Sequence, residues 1–287
     1  MYHEQGLTFP ATGNELNRGL LLQKLQYLSI AMLKTATTAM VVRDPKTEIA
    51  SAEVAGGYLA FSGRDVPLTR AIGVGTAGPI DENEIAQVET FFQSRNSPVS
   101  IVISERTHPS LENLLASRGY KANDYLQNWW MDLERATDNE IAGEIAVAPV
   151  YSAEAELWVR TVAAGFIETD SPVEDSKLPS KMLDTFYCLG FANGAQPFLA
   201  RRNGIVAGGG VLHINEGSAQ IRTASCRWSH RRCGVQMALL RARLKTALNA
   251  GCRLAFSSTD KKGPSARNLR RLGFKRLSVS FRMSMSS

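Results

Sequence analysis

The chain has 287 residues, 44% of them apolar and 21% charged, with four cysteines and a formal net charge of +6. That composition excludes a disordered chain and a disulfide-stapled mini-protein, and the length suits one large or two ordinary globular domains. Cys188, Cys226, Cys233 and Cys252 form no Cys-x-x-Cys pair, so neither a metal site nor a disulfide framework is expected, and they read as reduced thiols in a cytoplasmic protein. The apolar runs are short, as where Ser29 interrupts Leu28 to Leu33, so no membrane span is expected. Met1 to Arg18 lacks the basic start, apolar stretch and small-residue site of a secretion signal.

The charge is unevenly placed. From Arg201 onward, 18 Lys and Arg face only Glu216 and Asp260, a local balance of +16, while the first 200 residues carry −10. A cationic third of this kind implies an anionic partner, either a polyphosphate ligand or nucleic acid, unless it is only a solvated face.

In chain order, apolar residues at helical spacing predict a helix from about Asn14, its N-cap, to Thr37. Strands are predicted at 49–54, 57–61 and 70–75. A capping box, Asp81 to Glu84, opens a helix to about Arg95, followed by a strand at 99–103, a helix from Pro109 to Arg118 stopped by Gly119, and a strand near 125–133. After a polar stretch at 134–143 the order restarts: a strand at 145–150, a helix capped by Ser152, and a second helix after Pro179. Three hairpin-linked strands follow at 197–201, 205–214 and 219–226. The chain then gives a helix from Gly234 to Asn249, a strand at 253–258, a helix from Pro264 to Leu272 and a last strand at 276–283.

The two helices that open Pro109-Ser110-Leu111-Glu112-Asn113-Leu114 and Pro264-Ser265-Ala266-Arg267-Asn268-Leu269 match at four of six positions, and each ends at a Gly before an aromatic, Tyr120 or Phe274. With flanking strands recurring at nearly the same offset, this predicts a duplicated unit, divided as 1–138 and 139–287.

The most informative segment is Arg231-Arg232-Cys233-Gly234-Val235-Gln236, between a predicted strand and an amphipathic helix. A strand feeding a helix N-terminus aims unpaired backbone N–H groups and the positive end of the dipole at one spot. Gly234 lets an anion approach the backbone, and Arg231 and Arg232 add charge, so a diphosphate fits.

The order strand, Arg-x-x-Gly-x-Gln, helix, strand, Asn-containing helix, Gly-Phe, strand resembles the GNAT superfamily of acyl-CoA-dependent N-acyltransferases, whose pyrophosphate loop reads Gln/Arg-x-x-Gly-x-Gly/Ala. The resemblance covers roughly 144–283 and is most specific from Ala219 to Phe274. It implies an α/β (α+β) fold of two tandem GNAT-like domains, each a mixed, mostly antiparallel sheet flanked by helices. It also implies acetyl-CoA as cosubstrate and direct acetyl transfer to an amine of a small molecule or peptide, by a monomer or homodimer, without metal. Arg231, Arg232, Cys233, Gly234, Val235 and Gln236 would hold the pyrophosphate. Ala224, Ser225 and Cys226 would offer backbone groups to the pantetheine and the thioester carbonyl, and Asn268 would flank the pantetheine on its other side. Gln236 departs from the small residue of the usual pattern. Residues 49–133 resemble the same fold, but their turn, Thr76-Ala77-Gly78-Pro79-Ile80-Asp81, lacks basic residues, so that half is expected to be a degenerate copy without a phosphate site.

For the chemistry, a carboxylate acting through water is the expected base, with Glu168 or Asp170 as candidates against the alternative that both are solvated loop acids. The Tyr with which many members protonate the leaving thiolate is replaced by Leu269. His213 reads as a structural residue, His230 as a phosphate contact, and Trp129, Trp130, Trp158 and Phe166 as packing. A non-catalytic acyl-CoA-binding module and, less favoured, a nucleic-acid-binding protein remain as alternatives.

Overall fold

The computed structural model describes residues 17–64, 66–135, 144–168, 172–260 and 263–285. The expected boundary between the halves, at 138/139, and the candidate Asp170 lie outside them. The α/β architecture and its duplication are present. The N-terminal half runs α1 (Arg18–Arg43), β1 (Ala50–Val54), β2 (Gly57–Phe61), β3 (Arg70–Ile72), α2 (Glu82–Gln93), β4 (Ser100–Ile103), α3 (Pro109–Ser117) and β5 (Lys121–Asp132). The C-terminal half runs β6 (Ile145–Pro149), α4 (Ala155–Ile167), α5 (Ser180–Phe191), β7 (Ala195–Arg202), β8 (Ile205–Asn215), β9 (Ser218–Cys226), α6 (Val235–Asn249), β10 (Leu254–Asp260), α7 (Pro264–Arg271) and β11 (Lys275–Ser284).

The halves do not keep separate sheets. One sheet runs in the order β1-β2-β3-β4-β11-β5-β10-β9-β8-β7-β6. Each half has exchanged its last strand: β5 lies antiparallel to β10, and β11 lies antiparallel to β4 and β5. Two pairings in this sheet are parallel, β3 with β4 and β9 with β10, one per half, and each is joined by a crossover helix, α2 or α6.

One face of the sheet carries α2 and α3, whose Ile85, Phe92 and Leu111 cluster with Ile101, and then α6 and α7, whose Leu239, Leu240 and Leu269 cluster with Ala255. The other face carries α4 and α5 around Trp158 and Phe186, and α1, whose Leu21, Leu25 and Leu28 cover Leu254, Phe256 and Leu277. α1 differs from its sequence reading in two respects. Its N-cap is Asn17, which accepts the Gly19 N–H at 2.7 Å, and Asn14 lies outside the described residues. It continues to Arg43 because Arg43 reaches α5, bonding Asp184 at 2.9 Å and lying over the Tyr187 ring. It is also long and apolar enough to cross a membrane by length and composition alone, a test that the core helix of a soluble protein passes as well. Here it lies along the sheet, with Lys24 fully buried and bonded to Glu216 at 3.0 Å.

The capping box is present: Asp81 accepts from the Glu84 N–H, and Glu84 accepts from the Asp81 N–H. Ser152 does not cap α4. It opens a short 3-10 turn, and Glu154 at the true N-cap position pairs with Arg201 rather than with a helix amide.

Three glycines in a row, Gly208 to Gly210, set the approach of helices to β8. A Cβ at Gly209 would stand 2.9 Å from Trp158 Nε1 of α4, and one at Gly210 would stand 2.8 Å from Arg243 Nη1 of α6, so the run lets a large side chain seat on each face.

Candidate active site: a wedge between two parallel strands

β9 and β10 pair in parallel only over Leu254↔Ser218 to Phe256↔Gln220. Beyond that point β10 follows β5 as far as Asp260↔Leu126, while β9 follows β8 to Cys226. The sheet therefore splits along the line between them. The split begins beside a β-bulge, where Thr223 has φ +48° and Thr223 and Ala224 together oppose Gly210. A bulge bends its strand and leaves a residue out of the ladder, which turns backbone groups at Thr223 and Ala224 away from β8.

The wedge so opened is a cleft of about 280 Å³. Ala224, Thr223 and Arg222 of β9, Ser257 to Asp260 of β10, Gln236 and Leu240 of α6, and Ser265 and Leu269 of α7 line it. Phe166 and Leu126 also line it, with Phe166 stacked on Phe186 at 5.1 Å and exposed rather than buried in the core. Arg243, fully buried, spans the bulge. Its Nη1 donates to the Val211 carbonyl at 3.0 Å and the Arg222 carbonyl at 3.1 Å, oxygens beside the interrupted ladder. Burial pushes its guanidinium down to about 9.

The loop 231–234 delivers the chain to α6. Arg232 has φ +60° and Gly234, at the N-cap position, φ +82°, a conformation that favours glycine. Gly234 supplies no side-chain cap. The first intrahelical bond runs from the Ala238 N–H to the Gly234 carbonyl, so the N–H groups of Val235, Gln236 and Met237 have no partner within the helix. The equivalent helix of the other half is different. α2 is closed by Asp81 and Glu84, each accepting the other's N–H, and the Ile80 N–H donates to Ser110 Oγ, so the chain's own oxygens occupy its mouth.

Arg231 lies over the Trp228 ring and donates to the Gly165 carbonyl at 3.1 Å, tying the loop to the end of α4. Gln236 does not crowd the helix mouth. Its amide is committed to α7, donating to Ser265 Oγ and accepting from Asn268 Nδ2, both at 2.7 Å. Asn268 thus positions Gln236 rather than lining the cleft itself. Ser225 bonds the Val162 carbonyl at 2.8 Å and anchors α4 to β9. Val235 is core, and the Cys233 thiol donates to the Arg231 carbonyl. Cys226 does not line the cleft, and burial pushes its thiol up to about 11, so it stays protonated at neutral pH.

Glu168 is fully buried. It accepts the Trp228 N–H at 2.7 Å and the Val173 N–H at 3.3 Å, and it pairs with Arg227 at 3.0 Å. Its oxygens are engaged away from the wedge lining. The carboxylate that does line the wedge is Asp260, at the end of β10, which sequence reasoning passed over. It could have been found from its rarity, as one of two acids after residue 200. His213 is buried with Nε2 3.0 Å from the Asn193 carbonyl; burial holds it neutral and it lies outside the wedge lining. His230 sits in the short turn before the loop, its Nδ1 buried.

Parallel strands joined by a crossover helix in each half, with a split, a bulge and a glycine-led helix in the second, give the chain the fold of the GCN5-related N-acetyltransferases in a tandem arrangement. Solved structures agree. A GCN5-related N-acetyltransferase from Kribbella flavida is 15% identical and superposes with a TM-score of 0.63 over 90% of this chain and 95% of its own. A tandem GNAT protein from the clavulanic acid biosynthesis pathway is 14% identical, with a TM-score of 0.58 over 95% and 98%. A GCN5-related N-acetyltransferase from Sphaerobacter thermophilus is 18% identical, with a TM-score of 0.53 over 70% and 65%. At these identities the likeness is one of fold. No protein-family model matches the sequence, and no curated protein matches it either.

Proposed function

We propose that the C-terminal half binds acetyl-CoA and transfers its acetyl group to an amine. The observation that carries this reading is that Gln236, in the uncapped first turn of α6, lines the wedge together with the bulge at Thr223 and Ala224: the helix opening offers donors for a diphosphate, and the bulged strand a backbone that can polarise a carbonyl. The amides of Val235 to Met237, with Arg232 beside them, would hold the pyrophosphate, and the pantetheine would lie between Gln236 and Ser265 on one wall and Ala224 on the other.

In the transfer, the amine nitrogen attacks the thioester carbonyl carbon while the carbonyl oxygen takes charge beside the bulge. The C–S bond breaks, the amine loses a proton and the thiolate gains one. Asp260 is assigned as the base, through water, because it is the carboxylate of the lining. Leu269 gives the thiolate no proton, so solvent supplies it. Glu168 instead holds the loop in register: it joins the end of α4 to the backbone of Trp228, three residues before Arg231. Leu269 also favours a second reading, a module that binds acyl-CoA without turnover.

The test is calorimetric binding of coenzyme A, followed by thiol release from acetyl-CoA with a library of amines. Binding with no thiol release under any amine selects the second reading, and no binding refutes both. Three variant outcomes are expected. Asp260→Asn lowers kcat by about 100-fold, as loss of a general base does, with coenzyme A affinity kept, whereas Glu168→Gln weakens coenzyme A binding and leaves the pH profile of kcat in place. The reverse pattern would return the base to Glu168. Cys226→Ala is expected to keep kcat within about threefold, because direct transfer needs no thiol nucleophile; an acylated Cys226 detected by mass spectrometry would contradict this.

A further inference from the structure

Three arginines on the face of the sheet opposite α6 and α7 have no part in the chemistry above. Strand alternation puts them there. Ala71, Ile101, Ile103 and Met283 pack under α2 and α3, so Arg70 of β3 and Arg282 of β11 face the other way. Ala219 and Ile221 pack under α6, so Arg222 of β9 shares that second face with Arg70 and Arg282. Although β3 and β9 belong to different halves, Arg70 lies within electrostatic reach of both Arg222 and Arg282. Burial, reinforced by those two charges, holds it down to about 9, and burial alone holds Arg222 down to about 10.

The cluster is short of negative charge. Arg70 Nη1 has a 3.4 Å bond to the Pro67 carbonyl, and its Nε is buried without a partner. Arg282 stands 3.9 Å from Asp124, a mostly exposed acid. Among the described residues no carboxylate bonds Arg70 or Arg222. Beside them, strands β5, β10 and β11 present a neutral polar ladder, in which Asn128 accepts from Ser258 at 2.8 Å and donates to Ser278 at 3.1 Å and Ser280 at 3.2 Å. Arg222 also lines the wedge, so the cluster and the thioester end of the cleft share a residue. Gathering three partly buried like charges opposes folding, and a bound anion would offset that repulsion.

We propose that the acceptor is an amine that also carries an anionic group, a carboxylate or a phosphate, bound by Arg70, Arg222 and Arg282 so that the amine points through the wedge to the thioester. The proposal rests on the acetyl-transfer reading but has its own readout. N-acetyl amino acids and N-acetyl aminoalkyl phosphates, titrated without coenzyme A, are expected to bind saturably, and the tighter series tells carboxylate from phosphate. Arg70→Gln should weaken that binding tenfold or more, Arg70→Lys should restore part of it, and coenzyme A affinity should stay within twofold. Because it removes one of three repelling charges, Arg70→Gln should also raise the melting temperature of the free protein, which loss of a merely structural arginine would not do. In turnover, amines with an acid group should exceed their amide or alcohol counterparts at least 50-fold in kcat/KM, and Arg70→Gln should cut that preference at least tenfold. Failure of every anionic compound to bind, or equal binding by wild type and Arg70→Gln, overturns the proposal whatever coenzyme A does. Loss of coenzyme A binding with the anion site intact refutes the transfer reading instead.

Discussion

Gly234→Glu is expected to weaken coenzyme A binding by at least 100-fold, equivalent to about 2.7 kcal/mol, while the fold survives. Space is not what forbids a side chain there: a Cβ would meet nothing nearer than Ile145 Cδ1 at 3.5 Å. Two effects combine. The φ of +82° costs a non-glycine residue about 1–2 kcal/mol, and the new carboxylate would lie at the amides of α6, supplying from within the anion they now lack. Gly234→Ala separates the terms, since it carries the backbone strain without the charge and should lose far less affinity. Calorimetry with coenzyme A, beside thermal melts of all three proteins, reads the result. Equal affinities for wild type and Gly234→Glu would mean that the opening of α6 does not hold the diphosphate.

The largest expected loss of stability follows Trp158→Ala. Trp158 is fully buried, and its Nε1 donates to the Phe198 carbonyl at 3.1 Å. It occupies a slot that two glycines make: a Cβ at Gly190 would fall 2.5 Å from the ring and one at Gly209 2.9 Å from Nε1. Phe191 meets the ring edge-on at 5.9 Å. Because the slot walls are backbone, they cannot collapse into the space an alanine leaves, so the cost should reach about 3–5 kcal/mol. Urea unfolding followed by circular dichroism measures it, and a change under about 1 kcal/mol would show that α4 and α5 re-pack freely. Since α4 also carries Gly165 and Val162, which hold Arg231 and Ser225, the same variant should loosen the loop that precedes α6.

Local order was legible wherever it depends on residues near in sequence. The capping box at Asp81, the hairpins of β7 to β9, and the stop at Gly119 follow from propensity and side-chain chemistry within a few positions. The tandem pattern was legible too, because a duplicated unit repeats its helix starts, as at Pro109 and Pro264. The loop around Gly234 could be read because a glycine at the cap position supplies no capping side chain to the amides that follow.

Other features depend on residues far apart in the chain. Glu168 looked like a loop acid, and only the approach of Arg227 and the Trp228 amide shows that its charge is already used. Asp260 stands in the cleft because β10 follows β5 away from β9, and pairing between strands more than a hundred residues apart has no local signature. The exchange of β5 and β11 is of the same kind: either last strand could satisfy its backbone hydrogen bonds beside either half, and the choice is made by which neighbour buries its side chains. The sequence by itself determined the elements, their repetition and one anion-binding turn. The tertiary structure alone decided that the two halves share one sheet, that a wedge opens between β9 and β10, and that Arg70, Arg222 and Arg282 share a face within electrostatic reach of Arg70, because strand order brings together charges that local propensity cannot relate.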